Sequence, residues 1–272
     1  MNALQRRIQR DGWDQAATRY EQSWQNPLAP AHRALLARAA PRPGERVLDV
    51  ACGTGLVTFA AAAAVGPAGP VMGVDLSGEM VTLARARARE RGRHHVHFER
   101  MDAEDLTLPG GLFDIALCAL GLMYVPDARK AVCEMARMLA PGGRVVAAVW
   151  GARSRCGWAE IFPIVDARVK SVVCPLFFAL GTDDRLASLF AGAGLTDVVT
   201  ERVDARLEWR SADEACGAAF AGGPVALAHS RFDGPTRMAA YREYLESIDG
   251  WRIGAGYAVP GEFVIVSGRK VV

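Results

Sequence analysis

From Arg46 onward, apolar and polar positions alternate between two periods. RVLDVA is a short, nearly continuous apolar run, CGTG is a turn, and LVTFAAAAAV is a helical run stopped by GPAGP. VMGVD (71–75) repeats the strand, SGEMVTLARARARERG repeats the helix, and HVHFER supplies a third strand before the polar turn MDAEDLTLPGG. FDIALCALGL (113–122) reads as a fourth strand with its exit loop. Between Asp127 and Leu139, Ala128, Ala131, Val132, Met135 and Met138 form one helical stripe that Pro141-Gly142-Gly143 ends, and RVVAAVW follows as a fifth strand. Ahead of this rhythm, residues 3–25 predict a helix carrying Trp13, Tyr20 and Trp24 and closed by Pro27 and Pro30, then a short helix AHRALLARAA stopped by PRPG. After Trp150, GWAEIFPIVDARVKSVV reads as a helix interrupted by Pro163, and DDRLASLFAGAG as a short helix ended by glycine. TDVVTERVDARLEW and EFVIVSGRKVV read as two further strands enclosing an apolar insertion, in which Ser211 and Glu214 form a capping box.

Strands alternating with helices imply crossover units, because parallel neighbours cannot be joined by a tight turn. The expectation is an α/β fold: seven strands, mostly parallel, with helices on both faces and a helical cap. Residues 1–43 would form an N-terminal helical lid and 44–151 the ligand-binding core. Residues 152–272 would add the remaining strands, with cap insertions at 152–182 and 210–258.

At 272 residues and 51% hydrophobic, the chain has ample material for one buried core plus insertions. A formal net charge of +2 gives no global footprint for a nucleic-acid or membrane partner. Glycine and proline break the most apolar stretch at Gly66 and Pro67, short of the roughly 18 to 20 residues that span a bilayer. The first residues, MNALQRRIQRDGWD, carry arginines with no apolar segment after them, so a cytoplasmic protein is expected. The cysteines at 52, 118, 133, 156, 174 and 216 include no CxxC pair, which argues against a zinc knuckle or a disulfide framework and for small buried side chains.

The informative stretch is VLDVACGTG, residues 47–55. Asp49 sits near a strand end, where open α/β sheets bind ligands, and Gly53 and Gly55 lack a Cβ where the chain turns and a ligand must approach the backbone. Asp75 ends the second strand, placed to accept hydrogen bonds from vicinal ribose hydroxyls, with Ser77 available to cap the next helix. Together these sites suggest a nucleoside ligand. Thr58 stands where a dinucleotide fingerprint has its third Gly or Ala, which argues against NAD(P).

With VMGVDLSGEM, MDAEDL, FDIALCALGLMYVPD and LAPGGRVV following in order, the span from about residue 44 to 150 resembles the class I S-adenosylmethionine-dependent methyltransferases, most closely the group containing the ubiquinone/menaquinone-biosynthesis C-methyltransferases. The resemblance implies a Rossmann-like fold and S-adenosyl-L-methionine as cofactor. Asp49, Ala51, Cys52, Gly53, Thr54 and Gly55 would line its methionine end, and Asp75 would hold the ribose. Leu76 and Met80 would flank the adenine, Asp102 and Ala103 would meet its amino edge, and Cys118 and Ala119 would lie beside the sulfonium. Tyr20 and Trp24 are placed to fold over the site, where an aromatic face attracts a sulfonium by about 0.5 to 2 kcal/mol.

Methyl transfer from a sulfonium is mainly a matter of positioning, so no acid–base pair is compulsory. If an oxygen or nitrogen nucleophile needs deprotonation, the candidates are His229, Tyr124 and Tyr241. His94, His95 and His97 lack the spacing of a metal site, and no metal is expected. The expected function is methyl transfer to an oxygen or carbon of a small hydrophobic or aromatic acceptor. Two alternatives stay open: an RNA methyltransferase, supported only by the arginines between Arg85 and Arg100, and a non-catalytic protein that binds S-adenosylmethionine. The apolar cap would equally suit a homodimer contact.

Overall fold

The computed structural model describes residues 2–169 and 177–271. Its strands are β1 (Val47–Val50), β2 (Val71–Asp75), β3 (Val96–Arg100), β4 (Phe113–Ala119), β5 (Leu139–Trp150), β6 (Leu195–Trp209), β7 (Arg252–Ile253) and β8 (Gly256–Lys270). They form one sheet in the order β3-β2-β1-β4-β5-β8-β6, with the two-residue β7 added against β8. The pairs among β1 to β5 are parallel. β8 runs antiparallel to both β5 and β6. The sheet thus has the expected mostly parallel character, with an eighth, minimal strand that the sequence pattern did not suggest.

The helices are α1 (Asn2–Ala39), α2 (Leu56–Val65), α3 (Gly78–Glu90), α4 (Ala128–Met138), α5 (Ile161–Asp166), α6 (Arg185–Gly192), α7 (Ala212–Cys216), α8 (Ala226–His229) and α9 (Gly234–Ile248). α1 touches both α2 and α3, α4 touches α6, and both groups lie against the sheet. β5 is accordingly buried from Val145 to Trp150 and β8 along most of its length, as expected of strands covered on both faces.

The largest departure from the sequence expectation is α1, a single 38-residue helix running through Pro27 and Pro30. A proline inside a helix removes a backbone hydrogen bond and costs about 3 kcal/mol. Packing decides against a break: Trp24, Leu28, Ala31, Leu35 and Ala39 form one buried stripe that passes across both prolines. β5 also begins earlier than its apolar run, because Leu139 pairs with Phe113 and an irregularity between Phe113 and Ile115 absorbs the turn residues. α5 spans six residues, and the rest of the helix expected there, together with Cys174, lies partly outside the described residues.

Helix starts follow local chemistry. The Ser77 hydroxyl accepts the Met80 N–H at 3.1 Å, and Asp127 accepts that of Lys130 at 2.9 Å. The capping box at α7 forms by half: Ser211 accepts the Glu214 N–H, but the Glu214 carboxylate accepts the N–H of Arg210 rather than of Ser211. Among the described residues no helix is long and apolar enough to cross a membrane, and no group of three His, Cys, Asp or Glu is placed to hold a metal ion.

Candidate functional site

A cavity opens at the carboxyl ends of β1, β2, β3 and β4, where the strand order reverses and open α/β sheets have their natural crevice. Ala51 and Gly53 line it from the β1 loop, Asp75, Leu76 and Met80 from β2 and α3, and Met101, Asp102 and Ala103 from the β3 loop. Ala119, Leu120, Gly121 and Tyr124 close it from the β4 side. The remaining wall is α1, which contributes Arg6, Gln9, Trp13 and Tyr20 from one helical face.

The wall is electrostatically lopsided. Asp75 accepts the Gly53 N–H at 2.8 Å through one oxygen and the Ser77 N–H at 2.9 Å through the other, tying the β1 loop to the β2 loop. A carboxylate has about four acceptor positions, so lone pairs remain on Asp75, which lines the cavity. Behind it Asp49, 1% exposed, accepts the Thr58 hydroxyl at 2.6 Å on one oxygen, and its Oδ1 has no partner among the described residues. Thr58 therefore does at this position what a dinucleotide-site glycine could not. Asp14 of α1 accepts the Ser77 hydroxyl at 2.5 Å, adding a third carboxylate. None of the three has an ion-pair partner among the described residues. Burial, with a smaller push from Asp75, raises the Asp49 pKa to about 7. Burial also raises that of Asp75. Asp49 and Asp75 thus stand as two desolvated acids without a compensating positive charge among the described residues.

At the far end of the cavity, Arg6 pairs with Asp102 at 2.9 Å and with the buried Glu104. The N-terminal turns of α1 are thereby fastened over the β3 loop. Glu21 holds α1 to α3 through Arg87, which also donates to the Thr54 carbonyl at 3.2 Å.

The backbone around the cavity is strained. Ala51 and Leu120, both non-glycine, have φ of 56° and 62°, and both face the cavity. Gly121 lets these two loops meet, since a Cβ there would lie 2.4 Å from the Ala51 Cβ and 2.9 Å from the Cys118 Sγ. Gly121→Ala should cost about 1 to 3 kcal/mol by overpacking, lowering Tm by several degrees in a thermal melt. An unchanged Tm would show that the two loops can separate freely.

Of the residues singled out in the sequence, Tyr20, Ala51, Gly53, Asp75, Leu76, Met80, Asp102, Ala103, Ala119 and Tyr124 line the cavity. Asp49, Cys52, Thr54, Gly55 and Cys118 stand behind that lining as buried or turn-forming support. Burial pushes the Cys118 thiol up to about 12, so it is neutral. Trp24 turns away into a second chamber, lined also by Trp13, Leu120, Tyr124, Trp150 and Trp158. His229 lines neither space: it stacks on Tyr241, whose hydroxyl is 3.1 Å from its Nε2, and packs against Phe220 and Phe232. Burial lowers its pKa to about 4, so the ring is neutral near pH 7.

Sequence reasoning missed Arg6, Gln9 and Trp13. With Tyr20 they share one face of α1, but a face mixing a cation, an amide and two aromatics gives no apolar periodicity to detect.

Residues 47–143 match the family of methyltransferase domains. The chain is 30% identical over 182 residues to a demethylmenaquinone methyltransferase of Geobacillus stearothermophilus, an alignment covering 60% of this chain and 76% of that enzyme. It is 38% identical over 133 residues to nocamycin O-methyltransferase of Saccharothrix syringae, covering 49% of this chain and about half, 48%, of that enzyme's length. Its fold resembles that of the [4+2]-cyclase SpnF, with a TM-score of 0.61 at 25% identity over 92% of this chain and 83% of the cyclase. Matched through its strand-end motifs and through most of a relative's length, the chain belongs to the class I S-adenosylmethionine-dependent methyltransferase family.

Proposed function

We propose that this protein transfers the methyl group of S-adenosyl-L-methionine to an oxygen or carbon of a small hydrophobic or aromatic acceptor. The observation that carries the reading is the uncompensated acid pair at the strand ends: Asp49, with an unpartnered buried oxygen, beside Asp75. A ligand bearing an ammonium and a sulfonium supplies the missing positive charge. In this reading the free lone pairs of Asp75 accept the ribose hydroxyls, while Leu76 and Met80 flank the adenine. Asp102 and Ala103 sit at the adenine edge, with the Asp102 carboxylate partly engaged by Arg6. Ala51 and Gly53 offer backbone to the methionine end. Asp49, Cys52, Thr54, Gly55 and Cys118 hold that wall in place from behind, and Ala119 and the Tyr20 ring lie at the sulfonium.

When bound, the cofactor supplies a methyl group on a good leaving group. The protein's own task is then to align an acceptor and exclude water. Tyr20 and Trp13, with ring centroids 5.7 Å apart, and Trp13 and Tyr124, 5.0 Å apart, form an apolar rim suited to both. If a proton must be removed, Tyr124 is the candidate in reach, whereas His229 is bound up with Tyr241 away from the cavity.

The RNA alternative loses its support. Arg85 donates to the Phe98 carbonyl, Arg87 pairs with Glu21, Arg91 lies 4.5 Å over the Phe59 ring and Arg100 donates to the Leu76 carbonyl. Most of that basic run is committed to the protein's own surface.

Because a fold neighbour is named as a cyclase, fold and cofactor alone do not establish methyl transfer, and the test has two stages. Calorimetry should show tight binding of S-adenosylhomocysteine and none of NAD or NADP. Incubation with methyl-labelled cofactor and a panel of phenolic and quinone acceptors should then move label into product. Nicotinamide-cofactor binding would overturn the family chemistry. Cofactor binding with no transfer across the panel would favour the non-catalytic reading.

A further inference from the structure

The second chamber is walled by indole rings. Trp24 lies 5.9 Å from Trp158 and 6.3 Å from both Trp150 and Trp209, and Trp150 lies 4.8 Å from Trp158, centroid to centroid. Trp24 and Trp158 are only 5% and 2% exposed, and the Nε1–H of each has no acceptor among the described residues. Trp209, behind Trp24, is in the same condition. An indole nitrogen can only donate, and a buried donor left unpaired costs free energy. Buried tryptophans normally find a partner for this group. Trp24 and Trp158 both line one cavity, and the Trp24 Nε1 lies 3.5 Å from where a Cβ on Gly223, another wall residue, would sit.

The chamber shares Trp13, Tyr20, Leu120 and Tyr124 with the strand-end cavity. Its own volume is about 30 Å³. That space admits the edge of a ring rather than a whole bicyclic system, so the body of a ligand would lie in the shared aromatic mouth. From there its reacting atom would face Ala119 and Tyr20.

We infer that this chamber is the specificity pocket for the methyl acceptor, and that Trp24 and Trp158 select an aromatic molecule carrying an oxygen acceptor, a carbonyl or phenolate, by donating their indole N–H groups to it. The inference rests on the methyltransferase reading. It goes further in making the hydrogen-bond acceptor, rather than apolar area alone, the discriminating feature.

The test titrates the protein saturated with S-adenosylhomocysteine with 1-tetralone and with tetralin, which differ by one carbonyl oxygen. The ketone should bind about tenfold more tightly, as two net hydrogen bonds permit. Trp24→Phe and Trp158→Phe, which keep an aromatic ring and lose the donor, should each remove a factor of about three to ten for the ketone and leave tetralin unaffected. Gly223→Ala guards against a folding artefact: its methyl meets only ordinary contacts, 3.4 Å from the Ala218 carbonyl and 3.5 Å from the Trp24 Nε1, and it should weaken the ketone selectively. Equal binding of ketone and hydrocarbon, no binding of either, or phenylalanine variants that keep the preference would overturn the inference, leaving ordered water as the partner of these donors. Failure of the parent protein to bind S-adenosylhomocysteine would instead overturn the cofactor reading, which separates the two outcomes.

Discussion

Replacing Asp75 with alanine should weaken S-adenosylhomocysteine binding by about 100-fold or more. Two ribose hydroxyls donating to a charged acceptor contribute roughly 1.5 to 3 kcal/mol each, and a tenfold change in affinity corresponds to about 1.4 kcal/mol. The substitution also removes the acceptor for the Gly53 and Ser77 N–H groups, so the β1 and β2 loops lose the tie that sets their spacing. Calorimetry well below the variant's melting temperature separates lost contacts from lost fold. Affinity within a few-fold of the parent's would remove Asp75 from the ribose position. Asp75→Asn is the informative companion: it keeps one oxygen acceptor but presents an NH₂ to one of the two backbone donors, so it should fall between parent and alanine.

Cofactor affinity should also fall steeply as the pH drops below about 7, approaching tenfold per pH unit, and Asp49→Asn should flatten that dependence. The cause is the Asp49 carboxyl, whose pKa burial raises to about 7. Below that pH the cofactor-free protein holds the carboxyl protonated, and pairing with a cation requires the proton to leave. The stability of the cofactor-free protein runs the opposite way. A carboxyl that binds its proton more tightly folded than unfolded stabilises fully below its unfolded pKa, near 4, and loses that contribution as the pH rises to about 7. Thermal protection by S-adenosylhomocysteine should therefore be larger at pH 8 than at pH 6. Protection equal at both values, in the parent protein, would show that Asp49 carries its charge throughout and is not the group completed by the cofactor.

Much of the core was written in local chemistry. The strands β1, β2, β4 and β5 stand where short apolar runs meet turn residues, as parallel strands covered on both faces do, while the edge strand β3 alternates buried and exposed positions. Asp49, Gly53 and Asp75 were legible because a strand end, a left-handed turn and an acid on the next strand each leave a one-residue mark. Within α1, by contrast, local rules gave the wrong boundary at Pro27 and Pro30. Burial of Leu28, Ala31 and Leu35 against the rest of the molecule outweighed two lost hydrogen bonds. His229 shows the reverse case, a residue with catalytic chemistry that the fold assigns to a Tyr241 contact.

By itself, then, the sequence determined the alternating α/β order, the strand-end loops and the acids they carry, because those depend on periodicity and turn chemistry within a few residues. Tertiary structure alone decided that Arg6, Gln9 and Trp13 complete the cavity and that Trp24 and Trp158, whose indole donors have no partner among the described residues, line one chamber. Residues so far apart in the chain meet only once burial has closed the loops between them. The burial that raises the Asp49 pKa, with a smaller push from Asp75, has the same origin, since water leaves the strand ends only when the elements around them have packed.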